Sequence, residues 1–163
     1  MKILKRNCLV GLPIILALGV WLIWCPFQAW AGFDIRPDGT LSFIDSEGNV
    51  QASIVIEFAR TPDERSRGLM ERQTIGHDEG MLFIYDAPDD RFFWMRDTYV
   101  SLGIIFVSEM LQVVYIARDT EPLTETRHWS RGPAQYVVEV AAGFSERHGI
   151  TPGTRITWRK HTE

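Results

Sequence analysis

The stretch GMLFIYDAPDDRFFWMRDT, Gly80–Thr98, carries the strongest indication of fold in this chain. The apolar runs Met81–Tyr85 and Phe92–Met95 flank a polar segment, Asp86–Arg91, which contains a proline and three aspartates. Short apolar and aromatic runs on both sides of a polar turn are typical of two buried strands that form a hairpin. We therefore predict a β-hairpin, followed by a segment, Trp94–Thr98, whose aromatic, thioether and charged side chains suit the lining of a pocket.

The segments around this hairpin also read as short strands. We expect six of them, at residues 41–44, 50–58, 102–107, 111–117, 134–141 and 155–158. The strands at 102–107 and 111–117 are apolar on both faces, so we expect both to be central in the sheet. Residues 121–133 are polar with two prolines and predict a long loop.

Two brief helices complete the pattern. Thr61, Pro62 and Glu64 supply an N-cap, a first-turn proline and a capping box, so a short helix is expected to begin there. A single helical turn is expected at Phe144–His148, before Gly149. Many short strands with two brief helices predict a mainly β domain, which would be an antiparallel sandwich or a partly closed barrel.

The first 31 residues have the pattern of a secretory signal peptide. Three basic residues precede an uncharged, mostly apolar run, Leu9–Trp24, and Ala29-Trp30-Ala31 then places small residues where a signal peptidase requires them. We predict cleavage after Ala31 and export of residues 32–163, as a single domain, to the periplasm or the extracellular space. The alternative is an uncleaved inner-membrane anchor, although the apolar run is short for a full span and Pro26 interrupts it. Only this segment is expected to contact a membrane.

The composition after cleavage excludes several classes of site. Both cysteines, Cys8 and Cys25, lie in the removed segment, so the exported domain would have no disulfide, no thiolate metal site and no cysteine nucleophile. Loss of three of the 17 basic residues leaves 14 against 21 acidic residues, a poor charge balance for binding nucleic acid. The GxGxxG, P-loop, HExxH, GxSxG and CxxC motifs are missing from the sequence. We predict no catalytic residue set, no metal and no cofactor, and the oligomeric state stays open.

Three segments resemble a known family. They are IEFARTPDERSRGLMERQ, GMLFIYDAPDDRFFWMRDTYVSLGIIFVSEM and PAQYVVEVAAGFSERHGITPG, and together they resemble the domain of unknown function 192 (DUF192) family from Ser53 to about Arg159. The resemblance implies a mainly β fold of jelly-roll-like type, often exported, and it implies no activity. This chain departs from the family pattern at Asp97, where asparagine is usual, and at Gly103, where aspartate is usual.

Seven charged, thioether or aromatic residues form the predicted ligand-binding surface: Glu57, Arg65, Met70, Arg72, Trp94, Met95 and Asp97. The arginines of this region could bind an anion through their guanidinium groups or could instead fix the short helix on the sheet through ion pairs. Trp94 could stack on a flat ligand or pack in the core.

Two glutamates interrupt apolar strands, Glu57 in VIEF and Glu139 in VVEV. An ionised carboxylate buried without a partner is very costly, so each is expected to meet a basic or hydrogen-bonding group or to face water. The other interpretation of the pair is acid–base chemistry.

Three functions follow from these residues. The leading hypothesis is a non-catalytic binding or accessory module of the cell envelope, whose partner is a small molecule or an envelope component of unknown identity. The second is an envelope hydrolase that uses Glu57, Glu139 or Asp97, which requires two carboxylates in one cleft. The third is a copper(I) protein, because thioethers suit that ion; it requires convergence of at least three of Met70, Met81, Met95 and His77.

Overall fold

A computed structural model describes residues 35–162. Its elements in chain order are β1 (Gly39–Ile44), β2 (Val50–Ala59), α1 (Pro62–Arg67), β3 (Glu79–Phe93), β4 (Leu102–Val107), β5 (Val113–Ala117), β6 (His128–Ala141), α2 (Phe144–Arg147) and β7 (Arg155–Lys160). The predicted signal peptide and its cleavage site lie outside the described residues. Within residues 35–162, neither helix has the length and apolar character that a membrane span needs.

The seven strands form one mixed sheet in the order β5-β4-β6-β3-β2-β1-β7. β2 and β3 run parallel, whereas the other neighbouring strands run antiparallel. The two edges of the sheet meet at one end, where Gln112 bridges Arg155 and the Val113 N–H donates to the Thr154 carbonyl at 2.8 Å. The sheet is therefore a half-barrel. The predicted mainly β fold with two short helices is confirmed, in the form of the partly closed barrel.

The predicted hairpin within residues 80–98 is wrong. β3 is a single strand of 15 residues, and Asp86–Arg91 continues it, because its partner is β6. A polar segment with a proline predicts a turn, but Pro88 lies beside a register shift between Ile84 and Asp89, and proline is tolerated in a strand at such an irregularity. The predicted loop at 121–133 is shortened for the same reason, since β6 begins at His128 to pair with the far end of β3.

The second correction concerns β5. β4 is central and every one of its residues is buried, as expected. β5 is instead the edge strand, next to β4 alone in the sheet order, and Val114 is 38% exposed. An edge strand can carry apolar residues on both faces, so hydrophobicity by itself did not distinguish the edge from the centre.

Apolar clusters cover both faces of the sheet, because successive side chains of a strand point to opposite faces. Leu82 of β3 belongs to one cluster, whereas its neighbours Met81 and Phe83 belong to the other. The second cluster includes Leu69, which follows α1, and Met95, which follows β3. The loops after α1 and β3 therefore cover this second face.

α1 begins and ends as the sequence predicts. The Thr61 hydroxyl accepts from the Glu64 N–H at 3.2 Å and the Glu64 carboxylate accepts from the Thr61 N–H at 2.8 Å, which is the predicted capping box. Gly68 ends the helix with φ of 51° and ψ of −135°, a conformation that favours glycine. The helix thus fixes Arg65 and the residues after it over the second face of the sheet.

Candidate functional site

Two glutamates lie in one row across the middle of the sheet. The register pairs Glu57 of β2 with Met81 of β3, and Met81 with Glu139 of β6. Because neighbouring strands are about 4.8 Å apart, the two glutamate backbones lie roughly 10 Å apart with their side chains on the same face. Residues of the 65–72 segment line a separate pocket at each glutamate.

Glu57 is held in an ion pair. Its Oε2 is 2.5 Å from Nη2 of Arg72, and its Oε1 is 3.7 Å from Nη1 of Arg36. The side chains of Glu57 and Arg72 are only 13% and 12% exposed. We call the adjoining space of about 300 Å³ the Glu57 pocket; Met70 and Met81 also line it. The ion pair satisfies the carboxylate, so Glu57 has a structural partner in place.

Glu139 has no such partner. The residue is 5% exposed, and among the described residues its Oε2 has no hydrogen-bond partner. Burial raises the pKa of this carboxyl group to about 8, although the Leu69 N–H that donates to it and the charge of Arg72 oppose the rise. At neutral pH the group is therefore mostly protonated, so it can donate a hydrogen bond through its O–H.

Glu139 lines a pocket of about 160 Å³, which we call the Glu139 pocket. An apolar cavity of about 150 Å³ holds a benzene molecule, so this pocket has room for one six-membered ring. Its lining combines an apolar and aromatic set with a second set of polar, basic and glycine residues. The apolar and aromatic set consists of Leu69, Met70, Phe83, Tyr85, Phe92, Phe93 and Trp94, and the other set consists of Arg65, Ser66, Arg67, Gly68 and Thr98.

Gly68 keeps space open beside the Glu139 carboxyl group. A Cβ atom at this position would lie 3.5 Å from Oε2 of Glu139 and 3.2 Å from Cζ of Phe83. The positive φ of 51° also disfavours any residue with a side chain. Conformation and space therefore both select glycine next to the unpartnered oxygen.

Arg65 forms part of the pocket wall and is held at one of its nitrogens. Its Nη1 donates to the Ile84 carbonyl at 3.0 Å and to the Arg60 carbonyl. Its guanidinium carbon lies 4.8 Å from the centre of the Tyr85 ring. Among the described residues, no carboxylate forms an ion pair with Arg65. The pocket therefore contains a fixed positive charge that no acidic side chain of the described domain neutralises.

Trp94 is half-buried in the pocket wall and belongs to neither apolar cluster. Its ring lies 6.2 Å from that of Phe92 in an edge-to-face arrangement, and the Arg96 guanidinium lies 4.4 Å above it. Phe92 in turn lies 5.1 Å from Trp129, and both rings are more than 40% exposed. The pocket thus opens beside a row of three aromatic rings.

Comparison with known proteins agrees with this fold. The model of the family DUF192, described as "Uncharacterized ACR", matches residues 43–158. The chain belongs to the DUF192 family. Among curated proteins, none matches the chain.

Two solved structures resemble the DUF192 domain. One is a proposed transcription regulator from Sinorhizobium meliloti 1021, with 30% sequence identity and a TM-score of 0.72, and the match covers 77% of this chain and 95% of that chain. The other is a protein of unknown function from Novosphingobium aromaticivorans DSM 12444, with 37% identity and a TM-score of 0.69, and it covers 73% of this chain and 84% of that chain. The common fold therefore includes most of the described domain.

The DUF192 domain brings together only part of the predicted ligand-binding surface. Arg65, Met70 and Trp94 line the Glu139 pocket, and Met70 also lines the Glu57 pocket with Glu57 and Arg72. Met95 lies elsewhere: it is fully buried, and its Sδ accepts from the Thr120 hydroxyl at 3.1 Å. The seven residues thus divide between two pockets and their surroundings.

Asp97 is exposed on the surface of the DUF192 domain, with its carboxylate 3.8 Å from Nε of Arg96. It lines a third, open depression, which shares Arg67 and Met70 with both pockets. Its φ is 55°, a left-handed conformation that asparagine and aspartate adopt more readily than other side chains. The exchange of the usual asparagine for Asp97 therefore preserves the backbone preference.

The carboxylates and the thioethers of the other two hypotheses are distributed over the DUF192 domain. Glu57, Glu139 and Asp97 line three different depressions. Met70 and Met81 both line the Glu57 pocket, whereas Met95 is in the core and His77 is exposed. Within residues 35–162, no group of three or more histidine, cysteine, aspartate or glutamate side chains is placed to hold a metal ion.

The sequence did not assign Phe83, Tyr85, Phe93 or Gly68 to the site, and it named Glu139 as a candidate hydrolase carboxylate but not as part of the ligand-binding surface. One available sign was the alternation in VVEVA, which places Glu139 on the same face as Val137. The pocket itself forms because α1 and the loop after it pack over that face. The alternation of residues along a strand does not predict which segment covers the face.

Proposed function

We propose that this DUF192 domain is a non-catalytic binding module that captures a small molecule in the Glu139 pocket. The observation that carries the proposal is the unpartnered Oε2 of Glu139, buried next to Gly68 in an aromatic pocket. A buried polar group without a partner costs about 1–3 kcal/mol. A ligand that accepts a hydrogen bond from the protonated carboxyl group would recover that free energy on binding.

A binding function fits the pocket better than hydrolysis does. The carboxylates of Glu57 and Asp97 line other depressions, and that of Glu57 is already paired with Arg72. The hydroxyl of Thr98 donates to the Arg96 carbonyl at 3.3 Å. A nucleophile needs an adjacent base to activate it, and among the described residues neither Ser66 nor Thr98 of the pocket lining forms a hydrogen bond with a carboxylate.

The proposal also includes the cellular location of the protein. The basic, apolar and small-residue pattern of the first 31 residues supports export and a role in the cell envelope. The protein recovered from a periplasmic fraction is expected to begin at Gly32 by amino-terminal sequencing. Recovery of the intact chain from the cytosol alone would contradict export.

The binding role is tested by a thermal-shift screen of the purified protein followed by calorimetric titration of the hits. The screen covers small carbonyl compounds, sugars, peptidoglycan fragments and metal ions. We expect hits to bind the protein and the Glu139→Gln variant, whose amide still donates a hydrogen bond, and to lose at least about tenfold in affinity in Glu139→Leu.

A matched control is Glu146→Gln, because Glu146 is an exposed carboxylate of α2 that lines neither pocket. It should leave the affinity of every hit unchanged. Ligands that bind Glu139→Leu as tightly as the unaltered protein would overturn the assignment of the pocket, and a screen without any hit would overturn the binding function.

A further inference from the structure

The Glu139 pocket has two distinct polar ends. Arg72, and not Arg65, is the cation whose charge lowers the pKa of Glu139. Both Arg65 and Glu139 act on the Tyr85 hydroxyl, whose pKa is raised chiefly by burial. Arg65 is held at the carbonyl of Ile84, which is three residues along β3 from Met81, the residue paired with Glu139. A strand rises about 3.3 Å per residue, so these two points of attachment are roughly 10 Å apart, although both residues line the same pocket.

The two ends differ in the chemistry that they offer. At one end, the protonated Glu139 carboxyl group presents a neutral donor, and its Oε2 has no hydrogen-bond partner in the part of the chain that the structure describes. At the other end, both hydrogen bonds of Arg65 use Nη1, so its Nε and Nη2 face no acceptor among the described residues. A guanidinium edge of this kind binds a carboxylate through two parallel hydrogen bonds.

The charge of the pocket is opposite to that of the chain. The full sequence has a formal net charge of −4, yet the charged side chains that line the Glu139 pocket are Arg65 and Arg67, because its one glutamate is mostly protonated at neutral pH. Arg67 is paired with Glu71 at 3.5 Å. Arg65 is therefore the cation in the lining that lacks an acidic partner within the described domain, and an anionic ligand would supply one.

The space between the two ends suits a single ring. The pocket volume of about 160 Å³ is close to that of a cavity known to hold benzene, about 150 Å³. Two guanidinium groups already contact the Tyr85 ring, with Arg65 at 4.8 Å and Arg91 at 3.9 Å from its centre. Of the other aromatic rings in the lining, that of Phe83 is fully buried, so a ligand would contact Phe93 and Trp94, together with Phe92 at the opening.

We propose that the ligand of the Glu139 pocket is a small ring that carries a carboxylate at one end and a neutral hydrogen-bond acceptor at the other. The carboxylate pairs with Arg65, the acceptor takes the O–H of Glu139, and the ring packs against Phe93 and Trp94. This inference rests on the proposed binding function and adds the ligand class. An aromatic acid and a sugar acid both have this chemistry.

The test is calorimetric titration of the purified protein with four probes. 4-Carbamoylbenzoate has both polar ends, benzamide lacks the carboxylate, benzoate lacks the amide acceptor, and glucuronate places a carboxylate on a sugar ring. We expect 4-carbamoylbenzoate to bind at least about tenfold more tightly than benzamide or benzoate. Glucuronate binding above that of 4-carbamoylbenzoate would assign the ring to a sugar; the reverse order would assign it to an aromatic acid.

Variants separate the two ends. Arg65→Gln should weaken the binding of 4-carbamoylbenzoate about tenfold and leave the affinity for benzamide unchanged. Glu139→Leu should weaken the binding of benzamide and leave the affinity for benzoate unchanged. Arg65→Lys retains the charge, so its affinity for 4-carbamoylbenzoate should lie between those of Arg65→Gln and the unaltered protein. This variant replaces Arg65→Gln in the test if Arg65→Gln does not fold. Arg60→Gln is the matched control, because Arg60 is exposed beside Phe58 and does not line the pocket.

The failures are distinguishable. If neutral acceptors bind in a manner that depends on Glu139 but the added carboxylate gives no gain in affinity, the ligand class is overturned and the binding function stands. If 4-carbamoylbenzoate binds equally well to Arg65→Gln and to the unaltered protein, the role of Arg65 is overturned. If no probe and no compound of the wider screen responds to Glu139→Leu, both proposals fail.

Discussion

Glu57 and Glu139 have nearly the same local sequence and lie on the same face of the sheet, with Met81 between them. Glu57 meets Arg72 at 2.5 Å, whereas Oε2 of Glu139 meets no partner among the described residues. The comparison shows that a buried strand carboxylate is structural or available for a ligand according to whether a basic side chain reaches it. Three experiments would break or sharpen this contrast.

The largest expected effect is the pH dependence that Glu139 imposes on stability. Its pKa is about 8 in the folded protein, against an ordinary value of 4.5. The folded state therefore keeps a proton that the unfolded state has released, and the free energy of unfolding falls as the pH rises from about 4.5 to about 8. Glu139→Gln has no such proton, so its stability should exceed that of the unaltered protein by roughly 3 to 5 kcal/mol at pH 8.

The measurement is urea denaturation of both proteins at several values of pH. Below pH 4.5 the two free energies of unfolding should converge, because the carboxyl group then becomes neutral in the unfolded state as well as in the folded state. The groups that face Glu139 are the Leu69 N–H, Arg72, Tyr85 and, across the pocket, Arg65. If the free energies of unfolding of the two proteins differed by the same amount at every pH, Glu139 would have a partner in solution, and the contrast with Glu57 would be removed.

The next effect concerns the paired glutamate. Arg72→Met should lower the free energy of unfolding by about 3 kcal/mol, because it leaves the Glu57 carboxylate buried with only the more distant Arg36. Glu57→Gln added to Arg72→Met should restore much of this loss, since no uncompensated charge remains. The double-mutant cycle is measured by denaturation at pH 7, and additive losses would mean that the pair contributes little.

The smallest effect on stability is expected at the wall of the Glu139 pocket. Trp94→Ala should leave the melting temperature nearly unchanged and should abolish ligand binding, because Trp94 is half-buried and lies outside both apolar clusters. The adjacent Met95 is the control. It is fully buried, so Met95→Ala should cost about 2 to 5 kcal/mol. A large destabilisation by Trp94→Ala would instead assign that ring to the core.

Several elements of the fold follow from local sequence alone. The α1 cap is specified by Thr61 and Glu64, three residues apart, and the alternation along β2 fixes its buried face. The polar segment between the two halves of β3 was misread, because its conformation depends on pairing with β6 about 40 residues away. Local patterns predicted the strands but not which strand each one pairs with.

The candidate site was predictable to a similar degree. Arg65 and Trp94 were identified from residue type, and both line the Glu139 pocket. Met95 was grouped with them because it is adjacent to Trp94, yet the two side chains separate between the core and the pocket. Sequence proximity does not determine burial at the end of a strand, where the backbone direction changes.

The sequence by itself determined that the protein is a mainly β member of the DUF192 family with glutamates inside two apolar strands. Only the tertiary structure decided what those glutamates do. Arg72 is 15 residues from Glu57 in the chain and reaches its carboxylate, while Gly68 and Leu69 pass over Glu139 without bringing a cation to its Oε2. The cost of a buried charge depends on the groups within a few ångströms, and strand register and the path of the loop after α1 place those groups.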